Sequence, residues 1–295
     1  MGRNKLNLIE KYNSLKRPLI LDGAMGSLLQ QRNVPLDKNL WSSLANITNS
    51  KEVSKIYSEY INAGAEIITT NTFRTNPYAF RHSNLNITHE EFVHHSVKLL
   101  LDIIGEKDII AAGSNAPAED CYQKERTLSL QELEYNHKIH IELLWENDCD
   151  VIWNETQSHW DELEIICKFC NENSIPYIVS LYFNDDLKLL SGEDLYEAVQ
   201  FAADFSPIAI GFNCIKPQVL KNYINQSVLP KTWGFYFNCG PGKVNDEIIY
   251  CGVEPQNYIE DIKPLLELNP LFAGSCCGST PSHTRAIKDL FDELY

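Results

Sequence analysis

A closed (β/α)₈ barrel is the fold this sequence predicts, and three observations predict it. Short apolar, β-branched segments recur from one end of the 295 residues to the other, eight in all. The stretches between them are long enough to hold a crossover helix. The segments read as continuous apolar runs rather than as alternations, which marks strands buried on both faces of a parallel sheet. Eight such units in a chain of this length close into a barrel.

In chain order the candidate strands are "PLILDGA", "AEIITTNTF", "DIIAAGSN", "DVIWNET", "PYIVSLYF", "PIAIGFNC", "TWGFYFNCG" and "PLFAGSCCG". Between the first two, "NSKEVSKIYSEYINAGAE" places Val53, Ile56, Tyr57, Tyr60 and Ile61 on one helical face, with Asn49 or Ser50 as cap and Gly64 as stop. The last helix starts from Thr280 as N-cap and Pro281 at the first helical position, with Ala286, Ile287, Leu290 and Phe291 as its apolar stripe. No linker-like tract, low-complexity block or long charge run interrupts the pattern, so residues 1–295 are expected to form one domain.

Composition narrows the function. The chain has 25 basic and 40 acidic residues, a net charge of −15, whereas phosphate-backbone binding needs a basic patch; a nucleic-acid partner is not expected. No apolar run approaches the length of a membrane span, and the N-terminus lacks the apolar core of an export signal. Gly2 does not fit a myristoylation motif, because position 6 holds Leu6 where Ser or Thr is required. Nine cysteines in an unexported chain suggest reduced thiols in a cytoplasm, available for metal binding or catalysis.

In such barrels the chemistry lies at the C-terminal ends of the strands. Those ends are polar here: Asp22, Asn71, Ser114, Glu155, Asn213 with Cys214, Asn238 with Cys239, and Cys276 with Cys277. Cys214 ends the sixth strand and the Cys276–Cys277 pair ends the eighth, so three thiols can converge at the barrel mouth. Three thiolates make a zinc site with one position open, as catalytic zinc sites have. Gly274 and Gly278 would let consecutive cysteines both face the metal. Spacing alone leaves a second reading, three buried and inert thiols, since cysteine is among the most buried residue types.

Other cysteines and histidines read differently. Cys167 and Cys170 fall on the apolar stripe of a helix with Leu163 and Ile166, which suggests core packing. Cys239 is a possible rival ligand; Cys121, Cys149 and Cys251 have no partners near them in sequence. His137 and His140, three residues apart, have the spacing of a metal pair but read as a solvated helix face.

The combination "LDGAMGS", "TTNTF", "NET", "GFNC" and "GSCCGSTP" resembles the homocysteine S-methyltransferase family, over residues Leu19 to Pro281. That resemblance implies a (β/α)₈ barrel, with Cys214, Cys276 and Cys277 as zinc ligands. It implies a substrate site drawn from Asp22, Gly23, Glu155 and Asn213, in which Asp22 and Glu155 hold the amino-acid part of homocysteine; Asn213 and Gly211 match the turn that presents the first ligand. The chain departs from the family's pattern at Ala24, at Ser275 and in "GSNAPAEDCYQKE", the loop expected near the methyl donor.

A metal-bound thiol is deprotonated, so no general base need be sought. The electrophile would be a methyl group on a sulfonium, a quaternary ammonium or a folate nitrogen, with Phe73, Tyr182 and Trp41 as aromatic groups able to face a cation. The barrel takes up the whole chain, which favours a sulfonium of the S-methylmethionine kind over betaine or an external methyl carrier. Two other classes remain open, a non-catalytic zinc- or thiol-binding barrel and a lyase using Asp22 and Glu155 as acid and base.

Overall fold

The computed structural model describes residues 3–240 and 249–295. Met1 and Gly2, the latter with its myristoylation reading, lie outside them. All eight segments form strands: β1 Leu19–Ile20, β2 Ile67–Thr69, β3 Ile110–Asn115, β4 Val151–Gln157, β5 Tyr177–Leu181, β6 Ala209–Asn213, β7 Trp233–Phe237 and β8 Phe272–Ser275. Each pairs in parallel with its neighbour in the order β1-β8-β7-β6-β5-β4-β3-β2. The ring closes where Leu21 bridges Ile67, flanked by the Asp22 N–H to Ile67 carbonyl bond (3.0 Å) and the Glu66 N–H to Ile20 carbonyl bond (2.8 Å). This is a (β/α)₈ barrel.

The helices obey the patterns that predict them. Helix Ser50–Ala63 buries Val53, Ile56, Tyr57 and Tyr60 and ends at Gly64, whose φ of 108° is a left-handed stop suited to glycine. Ile61 is only partly buried, and the Asn49 side chain makes no capping bond. Helix Pro281–Leu294 follows Thr280 and buries Ile287, Leu290 and Phe291. Cys167 and Cys170 are fully buried in helix Trp160–Glu172. Among the described residues, no helix is long and apolar enough to cross a membrane.

One reading is corrected. His137 and His140, on helix Leu130–Glu146, are completely buried rather than solvated. His140 bonds Thr75 Oγ1 (2.9 Å) and Asn115 Oδ1 (2.8 Å) through its two ring nitrogens. His137 faces Glu162 at 3.6 Å, and Arg126 lies 2.8 Å from the same carboxylate. Burial opposes ionisation of Glu162, but His137 and Arg126 outweigh it and hold its carboxyl down at about 2. This polar layer ties the loop after β3 to the two helices behind it, with the Ala118 N–H also donating to Glu162 (3.1 Å).

Every strand contributes to the barrel interior, and its bulkiest side chains come from β4, β7 and β8. Trp153 packs edge-on against Phe272 at 4.6 Å and against Tyr236 at 6.2 Å between ring centroids. Phe272 has its space because β7 carries Gly234, where an added Cβ would lie 2.5 Å from the ring. The N-terminal segment covers the opposite end of the barrel from the polar strand ends: Arg3 pairs with Asp150 at 2.9 Å and donates to the Ile109 carbonyl, just before β4 and β3.

Gly234→Ala is expected to destabilise the fold by about 1–3 kcal/mol, the usual cost of overpacking a closed core. Urea unfolding checks this; an unchanged midpoint would show that the Phe272 ring has room to move.

Candidate active site

The polar strand ends open into a cavity of about 460 Å³. Asp22, Ser114, Glu155, Cys214, Cys276 and Cys277 all line it. β6 and β8 are separated only by β7, and the backbone beyond them is tied across that strand. The Cys214 N–H donates to the Tyr236 carbonyl (3.1 Å), the Cys276 N–H to Phe237 (2.7 Å), and the Cys239 N–H to Cys277 (2.8 Å). Gly278 then turns the chain at φ 83°, so close to Gly240 that a Cβ would lie 2.7 Å from its nitrogen. Gly274 contributes by close approach instead: its missing Cβ would lie 2.7 Å from the Leu21 Cβ.

The result is a group of three thiols whose sulfurs all lie within 4.8 Å of one another. Cys214 Sγ is 2.6 Å from Cys276 Sγ and 3.6 Å from Cys277 Sγ, and the latter two are 4.0 Å apart. Hydrogen bonding with Cys276 and then Cys277 holds the Cys214 thiol well below its ordinary range despite burial. Cys276 and Cys277 are correspondingly pushed up, first by their bonds with Cys214 and then by burial. Three thiols packed this closely share negative charge poorly; a divalent cation among them relieves that repulsion, and such a donor set can hold a metal ion.

Cys239 is not part of the group. It is buried, its thiol bonded to the Phe237 carbonyl at 3.7 Å. Cys149 packs under Gly113, whose Cβ would meet its sulfur at 3.0 Å.

The carboxylates stand beside the thiols. Asp22 accepts the Thr69 N–H (2.9 Å) and the Thr69 hydroxyl (3.1 Å). Burial pushes its carboxyl well above the usual range, Glu155 adds to this, and the Thr69 bonds oppose it. Glu155 accepts the Ser114 hydroxyl. Burial raises it to about 7, against the Ser114 bond, with Cys214 adding to the rise. Two carboxyls that resist ionisation side by side are a ready site for a cation, because an ammonium restores both charges.

Glu155 reaches the cavity through a bulge in β4, where the register with β5 shifts between Asn154 and Gln157. Thr156 within it has φ 59°, an unfavourable conformation for a β-branched residue. Asn213 holds it there with two bonds: the Thr156 N–H donates to Asn213 Oδ1 (3.0 Å), and Asn213 Nδ2 donates to Thr156 Oγ1 (2.8 Å). Asn213 is itself wholly buried and does not reach the cavity wall. Cys214, the next residue, also has a positive φ, of 56°. Gly23 lines the cavity, and a Cβ there would meet Ser279 Oγ at 2.7 Å and the Tyr60 hydroxyl at 2.8 Å.

Of the aromatic candidates, Trp41 and Phe73 line the cavity, edge to face at 5.7 Å. Trp41 lies over Gly26, where a Cβ would come within 2.4 Å of its ring. Tyr182 meets the cavity through Tyr122, 5.0 Å away between ring centroids. Sequence reasoning missed Cys121 and Tyr122, which the loop after β3 brings to the wall, and Arg74, which follows β2. The departure of that loop from the family's pattern was the only signal of the first two.

The homocysteine S-methyltransferase family model matches residues 19–291. The chain belongs to that family. A selenocysteine Se-methyltransferase of Brassica oleracea var. italica is 22% identical, covering 91% of this chain and 87% of its own length. A homocysteine S-methyltransferase of Escherichia coli (strain K12) is 23% identical, covering 92% of this chain and 94% of its own. The oxidised form of the E. coli homocysteine methyltransferase MmuM superposes with a TM-score of 0.81 at 22% identity, over 97% of this chain and all of that one; the metallated form gives 0.79. Family membership makes the chain a methyltransferase acting on homocysteine with a methyl donor as second substrate.

Cys214→Ser, Cys276→Ser and Cys277→Ser are each expected to lose most of the bound metal, because a hydroxyl is a hard, protonated group that does not replace a thiolate. Cys167→Ser, Cys170→Ser and Cys239→Ser should retain it. Metal analysis of reduced, anaerobically prepared protein, with thermal melts alongside, separates the two groups; metal retained in any of the first three would move the site elsewhere.

Proposed function

We propose that this chain transfers a methyl group from a sulfonium donor of the S-methylmethionine kind to the thiol of homocysteine, forming methionine, with zinc held by Cys214, Cys276 and Cys277. The convergence of these three sulfurs in the cavity that also contains Asp22 and Glu155 carries the proposal. Thiolate ligands favour zinc, and tetrahedral Zn–S bonds of about 2.3 Å set sulfurs about 3.8 Å apart. Two of the three separations, 3.6 and 4.0 Å, are close to that, and the 2.6 Å pair has only to open. When bound, the metal supplies the charge that keeps the incoming thiol deprotonated at neutral pH.

The protein's own groups do the rest. Asp22 and Glu155 take the homocysteine ammonium. The Gly23 N–H has no protein acceptor among the described residues and suits the homocysteine carboxylate. Asn213 is a positioning residue, keeping the β4 bulge that aims Glu155. Trp41 and Phe73 offer ring faces to the positively charged donor. A thiolate lone pair forms the new S–C bond as the donor's C–S bond breaks, its electrons neutralising the sulfonium. Both reactants being held in line supplies much of the rate. The free thiols suit a reducing compartment such as the cytoplasm, and residues 1–295 act as one barrel domain.

Zinc-loaded protein supplied with homocysteine and S-methylmethionine should form methionine, and faster than with betaine. No methionine from any onium donor would refute the proposal. Glu155→Gln should raise the homocysteine KM by about 10- to 100-fold, the scale of a lost charge-assisted bond, with zinc content unchanged. In the wild type, Glu155 gains a proton and loses its charge as pH falls through about 7, so the homocysteine KM should rise below that pH; in the variant the rise should be smaller, with Asp22 alone left to titrate. Steady-state kinetics across pH, with zinc measured at each point, tests both.

A further inference from the structure

The cavity must admit two charged molecules, and the acceptor's charges are already met. Homocysteine's ammonium has Asp22 and Glu155, and its carboxylate has the Gly23 N–H. Two cations on the wall have no part in this arrangement, Lys38 and Arg74; Lys38 is exposed, whereas Arg74, in the segment after β2, is partly buried. We infer that Arg74 binds the carboxylate of the methyl donor and so selects a zwitterionic onium over a plain cation. The inference rests on the methyl-transfer reading above and deepens it.

Arg74 is partly buried and anchored at two points. Its backbone N–H donates to Ser43 Oγ (3.2 Å), and one terminal guanidinium nitrogen, Nη1, donates to the Glu119 carbonyl. A guanidinium has five N–H donors. Among the described residues, Nε and Nη2 of Arg74 have no protein acceptor and no carboxylate lies within 4.0 Å of the guanidinium. Glu119, the acidic neighbour best placed to neutralise it, is committed elsewhere: its carboxylate accepts the Thr127 hydroxyl, the Thr127 N–H (3.0 Å) and the Leu128 N–H (3.3 Å). Those bonds outweigh burial and keep its carboxyl below the usual range.

A guanidinium without a carboxylate partner among the described residues works against a donor that is only a cation. It suits one carrying a carboxylate at some distance from the onium centre, because a planar fork of donors matches a carboxylate in two parallel bonds. The Arg74 guanidinium carbon also lies 5.6 Å from the Phe73 ring centroid. The same aromatic wall therefore sits beside both the anion-binding fork and the space left for the onium group.

The test pairs a variant with a truncated donor. Wild-type and Arg74→Ala proteins are compared using S-methylmethionine and its decarboxylated analogue, 3-aminopropyl dimethylsulfonium. Binding of labelled S-methylmethionine is measured separately by equilibrium dialysis, without homocysteine. Removing the donor carboxylate or the guanidinium should each lower kcat/KM for the donor by about 10- to 100-fold, the range for a charge-assisted pair. Removing both should cost little more than removing either, with the homocysteine KM unchanged. Arg74→Lys should recover part of the loss. Additive losses, or a raised homocysteine KM with an unchanged donor KM, would overturn the inference and assign the guanidinium to the acceptor or to the fold. Should no donor be turned over while dialysis still shows weaker binding to Arg74→Ala, the methyl-transfer reading fails and the carboxylate site stands; equal binding to both proteins overturns the site.

Discussion

The arrangement depends on one constraint: three cysteine sulfurs occupying a space that neutral thiols have no reason to share. Nothing apolar is gained by crowding them, and their mutual bonds leave one thiol easily ionised and two reluctant. The backbone must enforce the crowding. It does so by tying the ends of β6, β7 and β8 across one another and by using Gly274 and Gly278 where a side chain would collide. The closed barrel provides the rigid frame on which this is possible, with Trp153, Tyr236 and Phe272 filling the interior just beneath.

A second piece of local strain serves the same site. Thr156 and Cys214 both adopt positive φ, and both belong to the pair of strand ends that Asn213 joins. One asparagine thus links the bulge that presents Glu155 to the turn that presents the first sulfur. On the proposed reading, protein geometry sets the distance between the acceptor's ammonium and its thiol, and a small shift at Asn213 would disturb both ends. Trp41, Thr156 and Cys214, three of the residues with positive φ, line the cavity, where surrounding bonds can maintain the strain.

The fold was legible because its signals are periodic and local: continuous apolar runs, helical stripes, and Gly64 and Thr280 at helix ends. The thiol group was legible because strand order fixes which ends are neighbours once the barrel is assumed. What escaped depends on partners far away in the chain. The burial of His137 and His140 comes from Thr75, Asn115 and Glu162, none of which shares their helix. Asn213 reads as a turn residue because its partner Thr156 is 57 positions earlier. The loop after β3 has no repeating pattern, so nothing in its residues announces that Cys121 and Tyr122 reach the cavity. Arg74 reads as an ordinary loop cation until the commitment of Glu119 to Thr127 and Leu128 is seen.

On the proposed reading these three sulfurs hold a metal with one position left for the substrate's thiol. X-ray absorption at the zinc edge of the zinc-loaded protein counts those sulfurs. Three sulfur neighbours at about 2.3 Å and one lighter atom are expected in the resting protein, becoming four sulfurs when homocysteine is added. Four sulfurs before substrate, or a sulfur count that homocysteine leaves unchanged, would contradict that reading.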